Sequence, residues 1–385
     1  METSQMTHND YQDVDPVVLY DMFYEMGTYL GGLYMGYYRQ SPDDEKRQWL
    51  DRLDELDAER RSVDPLNSPD QIQAMTMWSQ QCQMLGERGL PAVGSEELDE
   101  EQLEALWADV VRDRTFGWAT PDESPVLLNV GGQPGAGKTR GGGIVQRGLY
   151  PGKELVFICG DDFRRYYPGY VHLCADPDPS RMPTTTASLS AWIIRKSLAY
   201  ALERGYSVKV EGTLRDPATV VGTIREFHRK GFSTHLVVLG VPEAVSWQRC
   251  VCRYCEAVAL GKAARWAPKQ AHDAGFEGVP RTLEAAQAEP AMDKITVVDQ
   301  DGEVAYSGNR NDDFSWADPA GALSALQTLR SHPAYAAVAR FDANQSRLEE
   351  QSKRCGFPPE VDEAIAQTGQ MGRELHARLG EPGQS

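Results

Sequence analysis

No stretch of this 385-residue chain stays apolar for the roughly 18 residues that crossing a bilayer requires. The most apolar early segment, Val17–Tyr38, is broken by Asp21 and Glu25, and neither a basic flank nor a cleavage-type site accompanies it. The chain therefore reads as lacking a signal peptide and as cytoplasmic, with no membrane partner. Disulfide stapling is excluded on similar grounds. Seven cysteines is an odd number, and a chain of this length needs no staples. Cys250, Cys252 and Cys255 fall close together, but no second half of a zinc ligand set lies nearby, so they read as ordinary thiols on a helix. Internal repeats are missing as well. Wholesale disorder is excluded by a composition of 41% hydrophobic and 25% charged residues.

Positive charge is what the front of the chain lacks. Residues 1–120 hold 25 acidic against 9 basic side chains, a net −16 out of a total of −18, whereas the remainder holds 32 against 30. Such a field repels nucleic acid phosphates, so nonspecific nucleic-acid binding is excluded, and only a local basic pocket stays open.

The acidic front, residues 1–94, is expected to be helical. Leu19, Phe23, Met26, Leu30, Leu33 and Tyr37 recur in steps of three and four, and Trp49, Leu50, Leu53 and Leu56 repeat the pattern between charges. The pattern predicts core packing of a small bundle or a partner-binding face, with a boundary near Pro91–Gly94. After a further amphipathic helix, the pattern changes at Pro125. Apolar runs at Val126–Val130, Leu155–Cys159, Tyr206–Val210, Thr234–Leu239 and Ile295–Val298 alternate with helix-like segments. That alternation predicts an α/β body, a parallel sheet with helices on both faces, over residues 95–335. A C-terminal helical tail is expected over 336–385.

The first run ends in Gly132-Gln133-Pro134-Gly135-Ala136-Gly137-Lys138-Thr139, a complete G-x-x-x-x-G-K-T loop. Its glycines let backbone N–H groups wrap phosphates, Lys138 reaches the outer phosphates, and the Thr139 hydroxyl suits Mg2+. The second run leads into Gly160-Asp161-Asp162-Phe163-Arg164, where Asp161 is expected to be the general base and Asp162 a helix cap. The third ends at Glu211, which would organise Mg2+ or hold substrate. Arg249, Arg253 and Arg265 cluster farther on and would supply fixed positive charge over a migrating phosphoryl group.

Taken in order and spacing, these motifs resemble the zeta toxins, the P-loop kinase half of bacterial epsilon/zeta-type toxin–antitoxin systems. The likeness covers roughly residues 95–310. It continues through Glu211-Gly-Thr213-Leu-Arg215, Arg253-Tyr254, and Arg265-x-x-Pro268-Lys269-x-x-His272-Asp273. The resemblance implies ATP and Mg2+ as cofactors and transfer to a sugar hydroxyl of UDP-N-acetylglucosamine. It implies that Lys138 and Thr139 serve the nucleotide, Asp161 the proton, and Arg253 and Arg265 the ATP phosphates. Glu211, Thr213, Arg215 and Thr223 then line the sugar-nucleotide site. Arg195 would line it too, standing where the family carries a glutamate. Other acceptors stay open, namely another nucleotide sugar, a dinucleotide, an antibiotic hydroxyl or a polynucleotide end, and so does a regulatory nucleotide binder with negligible turnover. The family's separate antitoxin obstructs the ATP site, and the acidic residues 1–94 read either as such an inhibitor or regulatory lid in cis, or as a structural extension packed far from the site.

Overall fold

The computed structural model describes residues 11, 13–92, 97–262 and 264–380. Three helices open the chain: α1 (Pro16–Gln40), α2 (Asp43–Ser62) and α3 (Ser68–Gly86). The expected boundary at Pro91–Gly94 lies partly outside the described residues, at Val93 and Gly94. Then come α4 (Glu100–Leu106) and, past a π turn, α5 (Arg112–Phe116). The body runs β1 (Val126–Gly131), α6 (Lys138–Leu149), β2 (Val156–Cys159), α7 (Gly160–Phe163), α8 (Tyr170–Cys174), α9 (Arg181–Thr185) and α10 (Ala187–Arg204). It continues β3 (Val208–Gly212), α11 (Pro217–Arg229), β4 (Ser233–Leu239), α12 (Glu243–Ala259), α13 (Lys269–Ala288), β5 (Lys294–Val298) and β6 (Val304–Asn309). Helices α14 (Gly321–Ser331), α15 (Tyr335–Cys355) and α16 (Pro359–Gly380) close it.

The fold is α/β, with one sheet in the order β2-β3-β1-β4-β5-β6. The first five strands are parallel, and β6 returns antiparallel along β5. Strands buried on both faces need apolar side chains at successive positions, as in β1, which is buried throughout. Leu127 faces one core, while Val126, Leu128 and Val130 face the other with Val145, Val245 and Phe341. The sixth strand was not expected from sequence. Its mostly exposed, edge-bound residues give no apolar run.

Because β1 lies between β3 and β4 while its crossover helix α6 leads away to β2, the C-terminal end of β1 sits at a switch in strand order. Register places Glu211 of β3 beside Val130 of β1, directly next to the loop that follows.

The front helices join this core. Fifteen of the 25 residues of α1 are buried, on every side of the helix. Phe23 stacks on Trp78 of α3 at 5.0 Å, and the same apolar cluster reaches Leu127 and Ile193 of the body. Glycines permit this closeness. A Cβ at Gly27 would lie 2.7 Å from Arg60 Cδ, and one at Gly32 would lie 2.5 Å from Tyr170 Cδ1. Asp15 caps the helix, accepting the Val17 N–H at 2.8 Å, with Pro16 in the first turn. Among the described residues no helix is long and apolar enough to cross a membrane.

Candidate functional site

The loop from Gly132 to Lys138 turns sharply between β1 and α6. Gly135 and Gly137 adopt φ of +74° and +83°, a region that side-chain-bearing residues rarely enter. The turn delivers the chain into the α6 N-terminus, where unpaired N–H groups and the helix dipole favour an anion. Lys138 Nζ rests 3.1 Å from the Gln133 carbonyl, across the mouth of the loop. Beyond it opens a cleft of about 410 Å3, lined at its core by Lys138, Thr139, Asp161, Glu211, Arg253 and Arg265.

Two acidic groups of the body line the cleft with different electrostatics. Burial alone would raise the Asp161 carboxyl, but the Arg265 and Arg164 guanidiniums outweigh it and hold the group well below the usual carboxylate range. Arg164 Nε stands 3.0 Å from one Asp161 oxygen, and Arg265 pairs with the other. Glu211 goes the opposite way. Burial pushes it up to about 7, only partly opposed by Lys209, Lys138 and the Thr139 hydroxyl. Its Oε2 accepts from Thr139 Oγ1 at 3.0 Å, whereas the buried Oε1 has no hydrogen-bond partner among the described residues. A hydroxyl beside an orphaned carboxylate oxygen fits a hard cation that keeps water and phosphate ligands besides, the habit of Mg2+. Asp162 points away, bound by Arg60 at 2.6 Å and by Thr28 at 3.0 Å.

Arg253 and Arg265 of the cleft, and Arg249 one turn before Arg253 on α12, already pair with carboxylates at the start of the chain. Arg249 bonds Asp15 at 3.1 Å. Arg253 pairs with Asp21 at 3.4 Å and with Glu25 at 3.2 Å. Arg265 bonds Glu25 at 2.9 Å as well as Asp161. Asp21 is a cleft-lining residue, and its carboxyl is raised by burial against the pull of Arg253 and, more weakly, Lys138. The first turn of α1 also closes on the loop, for a Cβ at Gly137 would come within 2.8 Å of Val17 Cγ1. Carboxylates thus occupy the neighbourhood of cations that a phosphate chain would use.

The residues expected from sequence are mostly brought together. Thr213 and Arg215 line the cleft, on a turn strained at Leu214 (φ +51°) and held by Thr282, which donates to the Leu214 carbonyl at 2.6 Å. Of the five residues expected to hold the acceptor, two are not in that lining. Thr223 turns its hydroxyl onto the Thr219 carbonyl, a turn and a half into α11. Arg195 corrects an expectation. Ala187, Ser190, Ala191 and Ile194 present one flank of α10 to the cleft, but Arg195 shares another flank with Ser188 and Trp192, beside Glu97 and Tyr167 in a separate cavity. Helical periodicity alone turns it away. Sequence reasoning missed Arg164, although it sits in the same Gly-Asp-Asp-Phe-Arg run, and missed the α1 acids as individual partners.

A family described as Zeta toxin matches residues 108–311. The toxin zeta of Enterococcus hirae is 28% identical over 192 residues, covering 48% of this chain and 64% of the relative. Toxin PezT of Streptococcus pneumoniae is 24% identical over 190 residues, covering 49% of this chain and 74% of that protein. The chain thus spans somewhat less than two thirds of the first relative's length. A solved structure from the PezAT chromosomal toxin–antitoxin system of Streptococcus pneumoniae aligns with a TM-score of 0.56 at 19% identity, covering 67% of this chain and all of that one. That likeness extends to the fold. Helices α1–α4 and α14–α16 lie outside the matched segment.

Proposed function

The chain belongs to the zeta toxin family, and on that premise we propose that it is an ATP- and Mg2+-dependent phosphotransferase acting on an alcohol of a small molecule. The observation that carries the reading is the meeting of Lys138, the Thr139–Glu211 pair, Asp161 and two arginines in one cleft beside the P-loop. Lys138 and the loop N–H groups hold the outer phosphates, and Thr139 with Glu211 would hold Mg2+, which supplies charge neutralisation when bound. Arg253 and Arg265 stabilise charge on the migrating group. Asp161 is ionised and accepts the proton of the attacking hydroxyl. Once phosphates draw Arg265 away, its carboxylate loses a partner and becomes a stronger base.

The acceptor proposed is UDP-N-acetylglucosamine, its sugar end toward Thr213 and Arg215. Arg195, being outside the cleft, raises no charge objection. The same proposal gives the chain its own inhibitor within residues 1–94. Asp21 and Glu25 stand in for phosphate oxygens, so ATP must displace α1 to gain the arginines. Opening the site therefore calls for charge removal rather than deletion, because deleting a helix buried on all sides would expose the core. The D21N/E25Q protein, incubated with ATP, Mg2+ and the sugar nucleotide, should add one phosphate to the sugar by mass spectrometry. ATP consumption with an unchanged sugar would redirect the acceptor. No ATP consumption by the folded variant would end the kinase reading.

A further inference from the structure

Behind the P-loop lies a chain of polar side chains, buried at Gln133, Ser246 and His272, that phosphoryl transfer leaves without a task. Gln133, the second residue of the loop, is fully buried. Its Nε2 donates to the Val241 carbonyl at 2.9 Å and to Ser246 Oγ at 3.1 Å, while its Oε1 accepts from Arg330 at 3.2 Å. Ser246 Oγ lies 2.9 Å from His272 Nε2, and His272 Nδ1 lies 3.0 Å from Asp273 Oδ1. Lys269 bonds the same Asp273 oxygen. The loop after β4, the start of α12, the start of α13 and the end of α14 therefore converge on one glutamine.

The direction of these bonds follows from what each group can donate. Burial lowers the His272 pKa, outweighing the opposing pull of Asp273, so the imidazole is neutral near pH 7. Asp273 only accepts, which puts the single ring proton on Nδ1. Nε2 then accepts a hydrogen bond from the Ser246 hydroxyl, at 2.9 Å the shortest of its three contacts with acceptors, the Pro242 and Glu243 carbonyls both lying at 3.1 Å, and the Ser246 lone pairs receive Gln133. Asp, His and Ser stand in the order of a hydrolase triad, yet Ser246 is fully buried beneath the loop and no substrate reaches its oxygen. This chain holds rather than attacks.

We propose that His272 is a positioning residue for the P-loop, fixing Gln133 through Ser246 and so setting the pitch of the main-chain N–H groups. The inference rests on reading the loop as the phosphate cradle of the proposed kinase. It gives a task to the His272-Asp273 pair, which closes the motif begun by Arg265. The segment that brings an arginine to the cleft runs on into the helix that locks the loop.

Hydrogen–deuterium exchange on the full-length chain, read on the peptide Gly132–Thr139, tests this directly. A glutamine at position 272 places its carboxamide oxygen near the place of Nε2 and can accept from Ser246. An asparagine is too short for that and keeps only the side facing Asp273. H272N should speed exchange of the loop amides about tenfold, as expected for losing one buried hydrogen bond, and H272Q should restore slow exchange. S246A should reproduce H272N and carries the test if H272N fails to fold. Equal loop exchange in H272N and H272Q, or unchanged exchange in S246A, overturns the proposal. None of these measurements needs turnover, so the two failures stay distinguishable: a chain that never uses ATP sinks the kinase reading without altering loop exchange.

Discussion

Two helical additions flank the segment matched to the family, and both pack on α12. The C-terminal one grips it away from the cleft. Arg347 of α15 pairs with Glu256, at 3.0 Å for one of its bonds, and Gln248 donates to the Phe341 carbonyl at 3.0 Å. The N-terminal one reaches Arg249 and Arg253, and does so with carboxylates. Apolar burial anchors both additions, Phe23 on one side and Leu348 on the other, each almost fully buried. The difference lies in the charge each addition brings and in whether it reaches an arginine of the cleft. On that comparison α15 and α16 are a brace, while α1 is a brace that also carries the two acids of the proposed plug.

The largest expected effect concerns what the plug guards. In the D21N/E25Q background, D161N should lower the rate of phosphoryl transfer by roughly 10²- to 10⁴-fold, the usual contribution of a general base. An undiminished rate would remove Asp161 from that role and leave the plug guarding something else.

Next comes a pair of core truncations that sets the two additions against each other. Phe23→Ala should cost about 3–5 kcal/mol of stability and Leu348→Ala about 2–5 kcal/mol, measured by urea unfolding. Only the first should also tighten ATP binding, because only α1 competes with phosphate. Tighter ATP binding in Leu348→Ala would erase the distinction between brace and plug.

The smallest effect is a dependence on pH. Glu211 is raised to about 7 by burial, so it gains a proton as pH falls through neutrality and then offers no anion to Mg2+. Mg2+ affinity should therefore rise between pH 6 and 8, by up to about tenfold per unit, and should be flat in E211Q. The metal-free protein should lose a little stability over the same interval, since the native state still holds a proton that the unfolded chain has released. A Mg2+ affinity independent of pH would remove Glu211 from the metal site.

Much of the body was legible because its signals are local. Buried parallel strands announce themselves as unbroken apolar runs, as in Val126–Val130, and the P-loop is a contiguous motif. Edge strand β6 carries no such run. Helix α13 was obscured by Gly275, Gly278 and Pro280 within it. The acidity of the front was plain from charge counting, and so was the reason for it to seek cations. The particular pairs were not, because Asp15 and Arg249 stand 234 residues apart and meet only through the tertiary fold. Arg195 was misplaced for a related reason. A sequence reveals that a residue is helical, but the packing of α10 decides which flank faces the cleft.

The central claim is that Asp21 and Glu25 hold arginines meant for phosphates. Asp15 should be left in place for the measurement, because it also caps α1. Calorimetric titration of ATP with Mg2+ into the full-length chain and into D21N/E25Q tests the claim most directly. Binding by the variant should be at least about tenfold tighter, since neutral side chains leave Arg253 and Arg265 short of partners and weaken the closed arrangement. Equal ATP affinity in the two folded proteins would contradict it.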